Sequence, residues 1–587
     1  MRASSKAVLE MARVGLIRGP ALSSLAMRSR YAAVRSSAEK LPIKSKGNIE
    51  GWVLPKQTTS FAPEGTWTNI DLDVTPVERR VWTSAAILGY WVSDILSAQS
   101  WQIGASVLAI GLTYREAIWC VLLGSCVMSI PIALNGAPGA YLRVPFPVWI
   151  RSSFGYHGAK FPIVCRMITA LFWHAIQTYT GSVAMTVVLT AIWPSYANVP
   201  NHLPASAGIT SQGLLSHFLF WSVQLPFLLI HPHKLKWFFV FKAFVTLTAA
   251  VGTTIATCKM AGGSGDIWNQ QPVVTGWTRS WLTVATLTAQ TGSWYESLGR
   301  HPLSPVLTAE SRSTVGTNIS DFTRYSKRPR AIYTQAIFFP LICFTIAMLG
   351  VVSASASRVV YGEYVWDPLT LAAHWTSPAG RLGAFYCGLA WMVAQIGVNV
   401  SANVISVSND MVSLFPKYIN SRRAAVIATV TAGWAMVPWK IVTGAESLIN
   451  FMASLGIFLA PIMGISIADY WLIKKWKVDV AGLYRSHGRY RFRAGVNWRA
   501  AVAMLCSIGP TLPGLARNIN LKLDIGGAKY ISDLVWYYGF FSAFLMYIAL
   551  SKVWPAQQSL VHGSELVEDE ELGVAVILEH PKKLEMR

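Results

Sequence analysis

Long, nearly uncharged apolar runs constrain this chain more than any other feature of its sequence. Each of the runs is near the roughly 20 residues that cross a bilayer as a helix. Only 13% of the 587 residues are charged, against roughly 25% in an average soluble domain. The runs are continuous rather than alternating, which excludes a membrane strand barrel. We therefore predict an all-α membrane protein with twelve transmembrane helices, at about 84–108, 116–135, 163–192, 213–231, 237–257, 281–299, 332–354, 383–412, 424–441, 447–473, 500–517 and 533–551.

The basic residues predict how the chain sits in the bilayer. The formal net charge of +22 could indicate nucleic-acid binding, but the Lys and Arg residues lie in short loops between apolar runs. One alternate set of loops, which ends with the stretch 474–499, holds about 21 of them, against about 9 in the other set. By the positive-inside rule, that set and both termini face the cytosol. We expect a plasma-membrane protein without a nucleic-acid partner.

Polar segments flank the apolar part and define the domains. We assign residues 1–80 to a cytosolic N-terminal tail, 81–552 to a twelve-span membrane domain and 553–587 to an acidic cytosolic C-terminal tail. Met1–Lys40 is rich in Arg and Ser, which is also typical of a mitochondrial targeting segment, but we favour the tail. The acidic run 565–571 is either a solvated surface or a binding site for a ubiquitin-ligase adaptor.

Two carboxamides interrupt the eighth apolar run. Asn399 and Asn403 share one helix face, although an unpaired amide costs several kcal/mol in hydrocarbon. Trp173 and Gln177 repeat this spacing in the third run and combine a flat aromatic face with an amide. A planar heterocycle with C=O and N–H edges could stack on the ring and bond the amides. The alternative is interhelical hydrogen bonding, which averages about 0.6 kcal/mol per contact.

Other polar positions indicate broken helices. Six polar residues interrupt the first run, which is typical of a broken helix that lines a cavity: Ser93, Asp94, Ser97, Gln99, Ser100 and Gln102. In the sixth run, a Gly-Ser pair before Trp294 would let the backbone open and turn the indole inward. Asp94 is the deepest carboxylate beside the break, so it is the candidate proton carrier. Lys242, inside the fifth run, could snorkel to the interface.

Enzymatic chemistry and ATP drive have no sequence support. There is no Walker motif and no nucleophile–base arrangement. The seven cysteines fall in apolar runs without metal spacing such as CxxC. We predict no catalytic residues, no metal and no cofactor.

Six motifs follow one another along the chain: Trp67–Trp82, Trp91–Asp94 (WVSD) with Trp101–Ile103 (WQI), Ser153–Gly158 (SFGYHG), Asn318–Tyr325 (NISDFTRY), Ala394–Asn403 (AQIGVNVSAN) and Pro461–Trp471 (PIMGISIADYW). In type and order they resemble the nucleobase–cation symporter-1 family, and within it the fungal uracil/allantoin permease branch. The resemblance runs from about Trp67 to Trp554.

The resemblance implies a 5+5 inverted repeat with spans 1 and 6 broken at the midplane, plus two further spans. It implies a transporter that works by alternating access. The family's substrate contacts map to Trp173, Gln177 and Asn403, with Asn399 on the same face. A first-span glutamine maps to Gln99, and a sixth-span aromatic maps to Trp294. The gate region maps to Ser447–Pro461, with Phe451, Leu455 and Phe458 as candidate gate residues.

Two departures from the family pattern matter. Sodium-coupled bacterial members place Ser-Thr before the first Asn of the eighth-span motif, whereas this chain has Gly397-Val398. These residues offer no side-chain oxygen to a hard cation, so we favour proton coupling over sodium. The second departure is Glu296–Val315, a polar, Pro-containing segment at membrane depth, where irregular backbone cannot face lipid. It is either a true insertion or a translated intron, and the clean resumption at Gly316 favours the intron.

The leading interpretation is therefore a proton-coupled importer of a nucleobase or related ureide, such as uracil or allantoin. A thiamine or nicotinamide riboside transporter, as in sister branches, is the alternative within transport. A nutrient sensor that binds its ligand but transports little is the alternative from another class. The expected partners are a small heterocycle, a proton and the lipid bilayer.

Overall fold

The computed structural model describes residues 52–54, 69–230, 236–291, 312–444, 456–520, 522–561, 567–569 and 574–576. The chain divides into two units, Met1–Pro55 and Lys56–Arg587. The described part of the first unit is residues 52–54. The second unit is a helical membrane domain, as predicted. Within the described ranges, six helical segments are long and apolar enough to cross a bilayer, and the other spans are shorter, interrupted or less apolar.

The spans are numbered in chain order. Their bounds are as follows: span 1, Ser84–Ile95 and Ala98–Ala109; span 2, Tyr114–Leu142; span 3, Lys160–Ile192; span 4, Ser211–Leu228; span 5, Lys236–Ala261; span 6, Gly276–Thr291 and Arg312–Asn318; span 7, Gln335–Tyr361; span 8, Pro378–Val398, Asn399–Val404 and Ile405–Leu414; span 9, Ser421–Val430, Thr431–Ala435 and Pro438–Gly444; span 10, Gly456–Ile467 and Ala468–Ile473; span 11, Trp498–Ile508 and Leu512–Ile519; span 12, Val535–Val553.

Short elements connect the spans. Helices of one or two turns lie at Phe146–Trp149, Arg151–Phe154, Ser320–Thr323, Pro368–Ala373 and Ala528–Asp533. In the C-terminal tail, Val567–Asp569 and Val574–Val576 form a two-stranded antiparallel ladder in which Val567 pairs with Val576.

Span 1 is broken, as its polar residues predicted. The first half ends at Leu96, and Ser97 has extended backbone with φ −135° and ψ 160°. The Ser97 hydroxyl accepts a hydrogen bond from the Ser100 amide at 3.2 Å and so caps the second half. The serine cap explains why a new helix begins directly after the break.

Span 8 is continuous but locally widened. Its middle segment, Asn399–Val404, is a π-helix, and every residue in it is buried. Single π turns inside helices are rare and frequent at functional sites. The segment contains both carboxamides that the sequence analysis singled out.

Small residues let two spans approach closely. A Cβ atom added at Gly104 of span 1 would overlap the carbonyl of Ala347 in span 7. One added at Gly350 of span 7 would overlap the carbonyl of Trp101. Since apolar helices in lipid associate through packing rather than through the hydrophobic effect, this backbone contact helps to hold spans 1 and 7 together.

Buried polar contacts close the end of the bundle that carries the basic loops. Arg166 of span 3 and Asp410 of span 8 form an ion pair in which both side chains are fully buried. The Asp321 carboxylate accepts from the Phe146 amide at 2.9 Å. Asp469 accepts from the Ser153 hydroxyl at 2.9 Å. We call these contacts the basic-end network. They join span 3 to span 8, the short helix after span 6 to the first short helix after span 2, and span 10 to the second short helix after span 2.

A histidine at the surface of the same end has a perturbed pKa. Burial lowers the pKa of the His157 imidazole, and the positive charges of Lys160 and Arg491 lower it further. His157 therefore stays neutral to lower pH than an ordinary histidine does.

Candidate functional site

A small cavity lies where spans 1, 3, 6, 7 and 8 meet. Its lining residues are Trp91, Asp94, Ile95, Trp173, Gln177, Arg312, Thr314, Val315, Phe339, Val398, Ala402 and Asn403. About 30 Å³ of it is open to a water-sized molecule, which is room for about one water. A heterocycle would therefore need the lining side chains to move apart.

The cavity brings together residues that the sequence placed far apart. Trp173 and Gln177 are one turn apart on span 3 and are 6% and 1% exposed. Asn403 lies on the π segment of span 8 and is 3% exposed. One aromatic face and two amides thus line a single cavity, which is the arrangement expected for a flat ring with polar edges.

Asp94 lies in the last turn before the break in span 1. Its carboxylate accepts a hydrogen bond from the Ser401 hydroxyl of span 8 at 3.2 Å. The side chain is 7% exposed and lines the cavity. Asp94 therefore connects the broken span to the π segment at the cavity wall.

Asn399 does not line the cavity, although it shares a helix face with Asn403. It is fully buried one turn behind, and its Oδ1 accepts a hydrogen bond from Asn403 Nδ2 at 2.9 Å. Its own Nδ2 donates to Gln224 Oε1 of span 4 at 3.1 Å. Span 4 thus holds the more distant of the two amides.

Gln99 also lies away from the cavity. Its Nε2 donates to the Thr180 hydroxyl at 3.0 Å, and its Oε1 accepts from Gln395 Nε2 at 3.3 Å. Gln99 stands on the second half of span 1, where the restart of the helix turns it toward spans 3 and 8.

Lys242 was expected to snorkel to the interface, and that interpretation was wrong. The side chain is fully buried, and its Nζ donates to the Ser93 carbonyl beside the break in span 1. A Cβ atom added at Gly397 would overlap the Lys242 side chain. The ammonium therefore reaches the region between spans 1 and 8 because Gly397 leaves room for it.

Arg312 is a second cation that the sequence analysis did not assign to the site. Its Nη1 donates to the Ser125 hydroxyl at 3.1 Å, and its guanidinium lies 5.5 Å from the centre of the Phe339 ring. It begins the helix Arg312–Asn318, all of whose residues are buried. The last four residues of the segment Glu296–Val315 therefore belong to this helix, and three of them line the cavity.

Three predicted site residues, Trp294, Phe451 and Leu455, lie outside the described residues. Phe458 is half-buried in span 10 and contacts the Phe161 ring with centroids 6.1 Å apart. It does not line the cavity. In the described part of the chain, no group of three or more His, Cys, Asp or Glu side chains could hold a metal ion.

Comparison with known proteins places these observations in a family. Residues 74–539 match a family described as permeases for cytosine/purines, uracil, thiamine and allantoin. An uncharacterized permease of Schizosaccharomyces pombe is 36% identical over 529 residues, which cover 90% of each chain. The allantoin permease of Saccharomyces cerevisiae is 29% identical and covers 88% of this chain and 81% of its own.

The fold has been seen before in solved structures. An inward-facing conformation of Mhp1 matches 85% of this chain and 99% of its own, with a TM-score of 0.62 and 19% sequence identity. A closed conformation of Mhp1 with bromovinylhydantoin bound, described there as a nucleobase–cation–symport-1 family transporter, matches with a TM-score of 0.61. At this identity the likeness is evidence of a shared fold.

Proposed function

The chain belongs to the family of permeases for cytosine/purines, uracil, thiamine and allantoin, and from this premise we propose that it imports a uracil- or allantoin-type heterocycle together with a proton. It is an integral membrane transporter and not an enzyme. The observation that carries the proposal is the meeting of Trp173, Gln177 and Asn403 around one cavity.

The chemistry of the lining supports a flat, neutral ring as substrate. An indole face stacks well on a planar ring, and amide groups donate to C=O and accept from N–H along its edge. Bromovinylhydantoin, bound in Mhp1, carries a ring of this kind. Allantoin, the ligand in the name of one relative, has the same hydantoin core.

Proton rather than sodium coupling is supported by Lys242. Its ammonium contacts the Ser93 carbonyl beside the break in span 1 and lies against Gly397. A positive charge there repels a second cation, and Gly397-Val398 offers no side-chain oxygen to ligate one. The Asp94 carboxylate and the Lys242 ammonium both lie beside the break, so they are the candidate carriers of the proton.

The transport cycle follows from the broken spans. Proton and substrate enter from the outer side, the lining side chains close on the ring, and the basic-end network then opens to release both. We expect plasma-membrane localisation with both termini in the cytosol, where the C-terminal tail could recruit a ubiquitin-ligase adaptor. The gate residues predicted in Ser447–Pro461 remain a proposal.

Uptake of radiolabelled uracil tests the proposal, with allantoin, cytosine, thiamine and nicotinamide riboside as competitors. The host cells lack their own permeases, and uptake is measured at acidic and neutral pH with sodium present or absent. We expect faster uptake at acidic pH, no sodium dependence, and a loss on the order of tenfold or more in Asn403→Ala. Sodium-driven uptake, or competition by thiamine alone, would contradict it.

Binding without flux is the outcome that would identify a nutrient sensor. Purified protein would then bind a competitor, as measured by a shift of its melting temperature, while cells with surface-located protein show no uptake. That pair of results would replace the transport proposal with the sensing one.

A further inference from the structure

The polarity of the hydrogen bonds behind the cavity can be worked out from one unambiguous group. The backbone carbonyl of His174 can only accept a hydrogen bond, and the Thr178 hydroxyl donates to it at 2.8 Å. A hydroxyl has one proton and two acceptor positions. Thr178 therefore meets its other two neighbours, both amides, only as an acceptor.

Both amide neighbours must consequently turn their nitrogen toward Thr178. Gln224 Nε2 donates to Thr178 Oγ1 at 3.2 Å, and Asn399 Nδ2 donates to the same oxygen at 3.2 Å. Asn399 Nδ2 also donates to Gln224 Oε1 at 3.1 Å. Rotating the Asn399 amide by half a turn would set its oxygen against two acceptor oxygens in a fully buried position, which costs a hydrogen bond and adds repulsion.

The orientation of the Asn399 amide determines the orientation of the Asn403 amide at the cavity wall. Because Asn399 Nδ2 already donates to Thr178 and Gln224, Asn399 presents Oδ1 to Asn403, and Asn403 must donate to it with Nδ2, at 2.9 Å. That leaves the Asn403 carbonyl oxygen for the cavity. We propose that Thr178 and Gln224 are positioning residues that present this oxygen as an acceptor, so that the site takes heterocycles with a ring N–H at that edge and rejects their N-methyl derivatives.

This inference rests on the proposed function and deepens it. A carbonyl acceptor forms a hydrogen bond with a ring N–H, whereas an N-methyl group leaves the oxygen desolvated and unpaired. Loss of such a bond costs roughly tenfold or more in affinity. Neither Thr178 nor Gln224 lines the cavity. Any effect of these two residues on specificity must therefore act through Asn399 and Asn403, and not through direct contact with the substrate.

Inhibition constants measure the effect. The probes are uracil, 1-methyluracil and 3-methyluracil, together with hydantoin and its two N-methyl derivatives, tested against uptake and against binding to purified protein. Wild-type protein should bind a parent heterocycle and reject at least one of its N-methyl derivatives on the order of tenfold. Thr178→Val should weaken binding of the parent heterocycle and lower the affinity ratio between parent and N-methyl derivative several-fold. The amount of protein at the cell surface and the maximal uptake rate should change less.

Conservative and matched variants separate positioning from structure. Thr178→Ser keeps the hydroxyl and should restore the ratio. Gln224→Met removes both the NH2 donor and the C=O acceptor of the side chain at similar volume, and it should act like Thr178→Val. Thr169→Val is the control, because Thr169 is buried on the same helix and its hydroxyl bonds the Cys165 carbonyl at 2.9 Å, away from the cavity.

The outcomes distinguish this inference from the proposed function. If wild-type protein binds none of the six probes, both the proposed function and this inference are wrong. If wild-type protein binds but tolerates every N-methyl derivative, or if Thr178→Val and Thr169→Val behave alike, the inference alone is wrong. A narrowed ratio in Thr178→Val and Gln224→Met, restored in Thr178→Ser, supports it.

Discussion

At the residue scale, one lysine and one glycine define the region beside the broken span. Lys242 is fully buried and donates to the Ser93 carbonyl, and Gly397 is the position whose missing side chain makes space for it. A buried ammonium in the bilayer is costly unless it is paired, and such residues usually serve transport or proton transfer. Two predictions follow from this contact.

Lys242→Met should remove the acid stimulation of uptake and lower uptake on the order of tenfold, because the side chain keeps its shape but loses its charge and its titratable proton. Initial uptake rates at acidic and neutral pH measure this. Lys259→Met is the control, because Lys259 is exposed near the end of the same helix. Full acid stimulation in Lys242→Met would exclude Lys242 from proton coupling.

Gly397→Ala should lower the yield of folded protein, because the new methyl group would overlap the Lys242 side chain. We expect a loss of about 1–3 kcal/mol of stability, as for overpacking in a core. Melting of the detergent-solubilised protein measures it. Gly252→Ala, on span 5 with no atom within 4 Å of the added Cβ, should be close to neutral. Equal melting temperatures for the two variants would contradict the close contact.

At the element scale, interruptions in the helices build both the site and its closure. The break at Leu96–Ser97 frees backbone groups beside Asp94, and the π segment of span 8 brings Asn403 to the cavity wall. The basic-end network joins side chains from several elements at the end of the bundle that carries the basic loops. Two predictions concern these elements.

Asp410→Leu should destabilise the protein by about 3–5 kcal/mol, because it leaves the Arg166 guanidinium buried without its ion-pair partner. The double variant Arg166→Met with Asp410→Leu should recover much of that loss, since an apolar pair replaces the buried charges. Thermal unfolding in detergent measures both. Glu116→Gln is the control: Arg279 in its ion pair is 36% exposed, so we expect a change of about 1 kcal/mol or less.

A shortened chain that joins Trp294 directly to Ser313 should take up substrate faster than the full-length chain. It removes Arg312 from the cavity and keeps Thr314 and Val315, which line it. Uptake rates normalised to surface protein measure this, and sequencing the transcript shows whether it contains codons 295–312, which the shortened chain lacks. An active full-length chain together with an inactive shortened one would establish the segment as a functional insertion.

At the scale of the whole molecule, the network and the basic loops lie at one end, while the cavity lies between the spans. The cavity is too small for a ring, so substrate can enter only if the elements that line the cavity move apart. The orientation of that movement depends on which end faces the cytosol. The loop charges predict that the end with the network faces the cytosol.

A fluorescent tag at the C-terminus and an epitope inserted after Ser206, in the loop between spans 3 and 4, should lie on opposite sides of the membrane. An even number of spans puts the C-terminus on the side of the basic loops, whereas loop 193–210 lies on the other side. Antibody access in intact and permeabilised cells reports each position. Labelling of both in intact cells would overturn the assigned topology.

The sequence by itself determined the membrane class and the broken first span. It also proposed Trp173, Gln177, Asn403 and Asp94 as site residues, which the structure places around one cavity. These features depend on hydropathy, local capping and motifs, which are properties of short segments. Only the tertiary structure decided what the polar groups bond to. The partners of Asn399, on spans 3 and 4, are each separated from it by more than a hundred residues, so spacing could not reveal that it supports Asn403 from behind. Lys242 is buried rather than snorkelling because Gly397, far along the chain, leaves its space.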